Sequence, residues 1–397
     1  MSYSSFSRIA ATFCLLLPTL AAAGWRGNVA LEGTAYPNDA LFPAQKDRFP
    51  AMSMEVEYTH PFHNSDNSLT VTPFFRIDDF DQERTHADFR ELKLHLARND
   101  WEWDIGLIKV FWGVTESQHL VDIINQTDLV ENIDGEDKLG QPALHGLWYR
   151  DWGTLEFFAL PGFRERTFPG KYGRLRGPLP VDTGRARYES TDRDQHLDYA
   201  FRASGTFKDN WDVGLSWFSG TSRDPVLQLD ASGRRPRLIP FYPLIDQLGL
   251  DLQATLENWL WKLEAIYRDQ PDDAYFAEVG GFEYTFYGIA DSAADLGVLM
   301  EYHHDSRGRD APTPFQNDLF IGGRWALNDA QSAEVLAGGF FDLDQTSRSW
   351  RVEASRRIGQ NWKISAEMQI FDRLDPREPQ YPLRNDDFVR LELARYF

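Results

Sequence analysis

The sequence predicts an all-β fold: a transmembrane, antiparallel, up-and-down β-barrel of about 18 strands, with 16 as the nearest alternative count. Three observations predict it. Apolar and polar residues alternate with a period of two over long segments, and a helical period is almost absent. Tight polar turns alternate along the chain with much longer connections, as in a barrel with short turns at one rim and long loops at the other. Aromatic residues make up 14% of the chain, with 13 Trp, and several Trp stand beside the tight turns. The low mean hydropathy of −0.48 is compatible with this fold, because a barrel hides its apolar face in alternation.

Residues 1–23 read as a segment apart. Arg8 is followed by the short apolar stretch Ile9 to Leu20 and by Ala21-Ala22-Ala23 before Gly24. This is the pattern of a secretory signal peptide, cleaved near Ala23–Gly24, and its apolar run is too short to span a bilayer. The only cysteine, Cys14, lies inside it, so the predicted barrel of residues 24–397 has no disulfide, thiolate or cysteine metal ligand. A net charge of −20 argues against a nucleic-acid partner.

Strands are expected near 25–36, 49–60, 67–80, 86–97, 101–111, 143–151, 153–160, 194–207, 211–222, 246–256, 258–269, 273–287, 292–303, 315–327, 331–343, 347–358, 361–373 and 386–397. Trp259, Trp261, Leu263, Ala265 and Tyr267 share one face; Leu92, Leu94 and Leu96 stand opposite Glu91, Lys93 and His95. Tight turns fall at 98–100, 150–153, 208–210, 257–258, 327–330 and 359–361, and Trp101, Trp152, Trp211, Trp259 and Trp362 lie next to them as an interfacial girdle. The longer connections are 37–48, 112–142, 161–193, 220–245, 303–314 and 373–386. Their parity puts both chain ends at the turn rim, so the last strand is expected to close onto the first around Trp25 to Tyr36 and remove both edges. A barrel of this size leaves an aqueous lumen.

Val389, Leu391, Leu393, Tyr396 and Phe397 form an alternating terminal strand that ends on an aromatic residue. This resembles the assembly signal of Gram-negative outer-membrane β-barrels. The resemblance implies insertion by the barrel assembly machinery and contact with outer-membrane lipid and lipopolysaccharide. A homotrimer is common among porins, and no residue pattern here bears on it. The segment KVFWGVTESQHLVDIINQTDLVEN (109–132) resembles the strand-then-loop region of porin-like families, where a Trp-Gly pair closes a strand and an Asp-x-(Ile/Val)-Asn element follows. Here these are Trp112, Gly113, Asp122, Ile123, Ile124 and Asn125, with one extra residue between Asp and Asn. The resemblance names no substrate.

Motifs for chemistry are sparse. GLSWF (214–218) lacks the second Gly of a nucleophile elbow. His303 and His304 point to opposite faces of a strand or lie in a loop, and make no metal pair by themselves. ENIDGEDK (131–138) lacks the ligand spacing of a calcium loop. Asp372, Asp375 and Glu378 are expected in a solvated outer loop. No catalytic residue, metal ligand or cofactor is nominated, and a non-enzyme is expected.

Charge is more informative. Residues 113–142 hold seven carboxylates against Lys138 alone, among them Glu116, Asp122, Asp128 and Glu131. Residues 161–187 hold seven basic residues against two acids, among them Arg164, Arg166, Lys171, Arg174 and Arg176. The acidic loop is expected to fold into the lumen, because Leu120, Val121, Ile123, Ile124, Leu129 and Val130 need burial; their spacing predicts a short helix over 119–130. Facing charges of opposite sign would then filter solutes, with Glu91 and Lys93 lining the lumen. The alternative keeps both loops outside, on divalent cations and lipopolysaccharide phosphates. The function expected is a porin for passive diffusion of small hydrophilic, charged or uncharged solutes. A barrel enzyme such as a lipid hydrolase, and a non-conducting adhesion or assembly barrel, are the competing readings.

Overall fold

Alternation becomes strand along nearly the whole chain. A computed structural model describes residues 24–63, 65–271 and 273–397; the expected signal peptide, with Cys14, lies outside them. The strands are β1 (Trp25–Ala35), β2 (Arg48–Pro61), β3 (Ser68–Asp78), β4 (His86–Arg98), β5 (Trp101–Ile108), β6 (Gln141–Arg150), β7 (Gly153–Pro161), β8 (Arg187–Tyr188), β9 (Leu197–Phe207), β10 (Trp211–Thr221), β11 (Val226–Asp230), β12 (Arg237–Tyr242), β13 (Leu244–Leu256), β14 (Trp259–Asp269), β15 (Tyr275–Phe286), β16 (Asp295–Asp305), β17 (Asn317–Ala326), β18 (Glu334–Asp342), β19 (Arg348–Ile358), β20 (Trp362–Asp372) and β21 (Phe388–Tyr396).

Eighteen of them form one antiparallel sheet that closes on itself. Closure is made where the sequence places it: β21 pairs with β1 from Asn28↔Tyr396 to Ala35↔Val389. Gly27 and Phe397 extend the seam with two reciprocal backbone hydrogen bonds of 3.1 Å. Every expected strand is present. The remaining three, β8, β11 and β12, form a small sheet above the loop rim, with β12 antiparallel to β11 and parallel to β8. In the sequence these segments read as irregular loop. Strands of two to six residues are too short to show a period.

The tight turns all fall at one rim and use left-handed residues such as Asn99 (φ 51°), Glu257 (φ 55°) and Gly359 (φ 64°). Next to that rim the outer surface carries stacked rings, including Trp101 on Trp148 (5.0 Å) and Trp259 on Trp261 (5.5 Å). Leu215, Leu248, Ile321 and Leu391 are exposed on the outer face, whereas Glu32, Arg76, Asp251, Glu264 and Glu301 are buried on the inner one. Apolar outside and polar inside is the pattern that a bilayer imposes on a barrel. One register shift between Thr72 and Pro73 on β3 leaves Phe89 of β4 outward and turns Arg90 into the lumen.

Candidate functional site

The long connection after β5 does not stay outside. It enters the lumen and reaches strands on the far wall. Trp112 packs edge-on against Phe158 (5.6 Å), and Gly113 then turns with φ 145°. A Cβ there would stand 2.9 Å from Glu264 Oε1 and 3.0 Å from His119 Nδ1, so the Trp-Gly pair, beyond the end of β5 at Ile108, is a close approach to the wall rather than a strand end.

Two wall carboxylates receive the segment that follows. Glu264 of β14 accepts the backbone N–H groups of Val114 (2.8 Å), Thr115 (3.1 Å) and Val121 (3.1 Å), and the Thr115 hydroxyl (2.7 Å). Glu301 of β16 accepts the N–H groups of Glu116 and Ser117, both at 2.9 Å, and the Ser117 hydroxyl. Glu116 then reaches Arg324 of β17 (2.5 Å). On the other side of the loop, Val121, Ile123 and Ile124 are almost fully buried in one cluster with Ile108, Phe158, Phe218, Ile245 and Ile266 of the wall. This is the burial that the apolar residues of the loop require.

The expected helix over 119–130 is absent; this stretch runs through turns and an isolated bridge, Thr127↔Lys138. Its polar groups are satisfied in other ways. Asn125 donates to the carbonyls of Ile108 and Leu139 (both 2.8 Å) and accepts from the Val110 N–H (3.0 Å). Leu139 N–H bonds to Gln126 C=O and Asp128 N–H to Asp137 C=O, which is strand-like pairing. Asp122 accepts from the Trp112 N–H (3.4 Å) and pairs with Lys138 (3.1 Å). Trp112, Gly113, Asp122 and Asn125 thus form one clamp.

The remaining acids of the loop meet arginines of the wall. Asp128 pairs with Arg90 (2.6 Å), Glu131 with Arg76 (2.7 Å) and Asp134 with Arg351 (2.6 Å). These arginines belong to a continuous lumen network: Glu32 meets Arg76 (2.9 Å) and Arg84 (3.0 Å), and Glu367 meets Arg351 (3.3 Å) and Arg390 (3.2 Å). His119 lies between Glu136 (2.9 Å) and Glu264 (3.7 Å). Burial works against its charge, but the two carboxylates outweigh it and push the ring up to about 10. Burial, with Glu131 and Asp134 nearby, pushes the Asp137 carboxyl up to about 7.

The basic loop does not face the acidic one as an opposed array of charges. Among the described residues its cations go elsewhere: Arg164 to Asp88 (2.9 Å), Arg166 to Asp224 (2.7 Å) and Arg174 to Asp386 (2.7 Å) and Asp47 (3.0 Å). Arg176 donates to the carbonyls of Lys171 and Gly177 (both 2.8 Å), and Lys171 stands over the Tyr172 ring (5.2 Å). At two contacts between the loops, a charged group of one meets a neutral group of the other: the Thr167 hydroxyl donates to Asp128 (2.7 Å), and Arg166 donates to the Gln126 side-chain oxygen (3.3 Å). Within each loop, the wall and the neighbouring loops supply counter-charges at shorter range than the other loop does. Glu91 and Lys93 pair with each other (3.2 Å) on the face opposite the exposed Leu92.

Sequence reasoning missed Glu264, Glu301, His303 and the lumen arginines. The only signal for them is a charged residue on the polar face of a strand, as in Lys262, Glu264 and Arg268, which alternate with Trp261, Leu263 and Tyr267. It also missed a Ser–His contact: Ser117 Oγ lies 2.9 Å from His303 Nε2, and His303 Nδ1 lies 3.1 Å from Gln118 Oε1. Residues so far apart in sequence have no spacing to nominate them. Glu301 also takes the hydroxyl of Ser117, so the contact works as an anchor for the loop. His86, Asp128 and Glu131 converge within 4.8 Å, but Arg76 and Arg90 already supply positive charge there. Asp134 of ENIDGEDK is likewise held by Arg351.

A closed 18-stranded barrel with a polar interior and an aromatic outer belt has the fold of Gram-negative outer-membrane barrels. Three solved structures share it. Wzi of Escherichia coli, described as an outer-membrane protein of group 1 capsule assembly and a carbohydrate-binding β-barrel, is 10% identical, with 99% of this chain and 89% of that chain covered and a TM-score of 0.55. OccAB3 of Acinetobacter baumannii is 9% identical, with 95% and 99% covered and a TM-score of 0.52. OccK8 (OprE) of Pseudomonas aeruginosa is 8% identical, with 95% and 98% covered and a TM-score of 0.50. At these identities the likeness is one of fold. No family model and no curated protein matches the chain.

Proposed function

We propose that the protein is a passive outer-membrane channel for small hydrophilic solutes, constricted by the acidic loop that follows β5. One observation carries this reading. The loop crosses a charged lumen and is fastened to strands on its far side, at Glu264, Glu301, Arg324 and Arg351. Solutes would pass beside the loop, where its charges paired with the wall and its fixed dipoles replace part of their hydration. With short turns on the periplasmic side, the loop rim and its small sheet face outward. No enzymatic step is part of this reading, since the hydroxyl of Ser117 is held by a carboxylate.

A second reading has support in the same loop. A segment so firmly packed in the lumen could serve a non-conducting barrel that binds carbohydrate at its outer mouth, as the description of Wzi states for that protein. Planar-bilayer recording of the refolded chain separates the two. The channel reading expects stable conductance steps that grow when residues 116–136 are replaced by a short Gly-Ser linker. Silence from the wild type, with steps appearing only in the loop replacement, favours the carbohydrate reading. Silence from both, in well-folded preparations, removes the channel reading.

A further inference from the structure

The small sheet above the loop rim leaves one edge open. Its order is β11–β12–β8, so β12 is flanked on both sides, while β11 pairs with β12 alone among the described residues. Three of the five residues of β11 are exposed aliphatics: Val226 at 51%, Leu227 at 41% and Leu229 at 64%. Proteins normally cover, charge or twist away such an edge, and clustered exposed apolar residues mark a contact surface.

The tip of the same hairpin is cationic. Arg234 and Arg235 are exposed and form no ion pair among the described residues. The other arginines of the small sheet are engaged: Arg185 pairs with Asp230 (2.7 Å), Arg237 with Asp182, and Arg187 meets Gln228 (3.4 Å). The whole chain carries a net charge of −20, so two free guanidiniums side by side run against its composition. Position adds to this. The hairpin continues upward from β10 and β13, which pair as far as Thr221↔Leu244 and whose outer faces carry the exposed Leu215, Trp217 and Leu248. β8, on the opposite edge of the small sheet, belongs to the basic loop, which reaches Asp47 and Asp386 beside β2 and β21. The open edge is thus the one turned away from that loop, above lipid-facing strands.

We propose that the β11–β12 hairpin is a docking site for lipopolysaccharide of the outer leaflet, with Arg234 and Arg235 on its phosphate groups and Val226, Leu227 and Leu229 against its apolar part. Guanidinium groups match phosphate oxygens two at a time. Aliphatic residues beside free basic ones are the composition of elements that lie in a membrane interface, where an anionic leaflet attracts the basic side chains. A second copy of the chain is the weaker occupant. An antiparallel copy of β11 would cover the edge, but the acids closest to it in sequence, Asp224 and Asp230, already pair with Arg166, Arg268 and Arg185. The two arginines would then still lack an anion. The site rests on the loop rim facing outward and is independent of whether the lumen conducts.

The test is hydrogen exchange of the refolded chain in zwitterionic micelles containing EDTA, titrated with purified lipopolysaccharide. Residues 226–237 should become protected in a saturable way. The half-point should rise at least tenfold when Arg234→Gln and Arg235→Gln are combined, and by less in Leu229→Asn. These side chains are exposed, so the melting temperature of the barrel should be unchanged in the variants. The same lipopolysaccharide with its phosphates removed should protect at least tenfold more weakly. Protection that grows with protein concentration in the absence of lipopolysaccharide would assign the edge to a second copy and overturn the proposal. So would exchange at 226–237 unchanged by lipopolysaccharide, or equal half-points for the dephosphorylated form or the double variant. Conductance plays no part in this readout, so a silent barrel that binds lipopolysaccharide removes the channel reading and leaves the docking site standing.

Discussion

The two long loops on either side of β6 and β7 are similar in reach and opposite in charge, yet they are fastened by different chemistry. The acidic loop is held by what is not acidic in it. Its backbone N–H groups go to Glu264 and Glu301, and its aliphatic side chains join the wall cluster. Its own carboxylates make the last contacts, on arginines. The basic loop has little apolar surface to bury beyond Phe163, Ala186 and Tyr188 near Tyr242 and Leu175 against Tyr36, Phe49 and Phe388. It depends on single guanidiniums, above all Arg174, whose side chain is fully buried against Asp386 and over the Tyr36 ring. Composition alone would treat the pair as complementary charges. The contacts show that net charge says little about what holds a loop.

Glu264→Ala leaves the N–H groups of Val114, Thr115 and Val121 without an acceptor, at about 1 kcal/mol or more each, while the Thr115 hydroxyl keeps the Gln118 carbonyl (2.5 Å). The acidic loop should loosen by at least about 3 kcal/mol of docking energy, seen as fast hydrogen exchange at 113–121 while the barrel strands stay protected. Arg174→Ala strands the buried Asp386, and should cost about 3 kcal/mol, the lower end for a broken buried pair because Asp47 is exposed. Its exchange signature should be confined to 170–177 and 384–387. If it spreads to 113–121, the loops are one cooperative unit and the contrast drawn above fails. Ile124→Ala opens a cavity in the wall cluster and should cost about 2–3 kcal/mol, again read at the acidic loop only.

A pH series sharpens the contrast further. His119 has its folded pKa raised to about 10, above its ordinary 6.5. Its contribution is therefore complete below about pH 6.5 and lost as pH rises through 10. Asp137, raised to about 7, adds a penalty once it ionises, growing from its ordinary range near 4 up to about 7. Both make the acidic loop looser in base, and His119→Gln should flatten the upper part of that dependence. The smallest effect belongs to Arg185→Ala, since the pair with Asp230 is solvent-exposed on its arginine side; the melting temperature should not change measurably.

Most of the barrel was legible in the sequence because each strand carries its own evidence: a period of two, a turn residue and an interfacial Trp. The seam between β21 and β1 could be foreseen from parity. The course of the acidic loop was legible in part. Burial of Val121, Ile123 and Ile124 followed from their apolarity, but their spacing read as a helix, and the Asn125 and Glu264 side chains satisfy the backbone without one. What receives the loop was not legible. Glu264 and Glu301 lie more than a hundred residues downstream and look like any polar-face charge until closure brings β14 and β16 across the lumen. Glu378, expected in a solvated outer loop, is buried at 6% exposure, and nothing in its local sequence sets it apart from a surface residue.

Glu264 and Glu301 address amide hydrogens, and every amino acid except proline carries one. The side chain at 114 could therefore be exchanged over generations without losing the path of the loop, provided the hydroxyls of Thr115 and Ser117, the Glu116 carboxylate and the aliphatic Val121 are kept. A barrel built in this way separates the address of its gate from the lettering on it, so new selectivities can be written while the architecture is inherited unchanged.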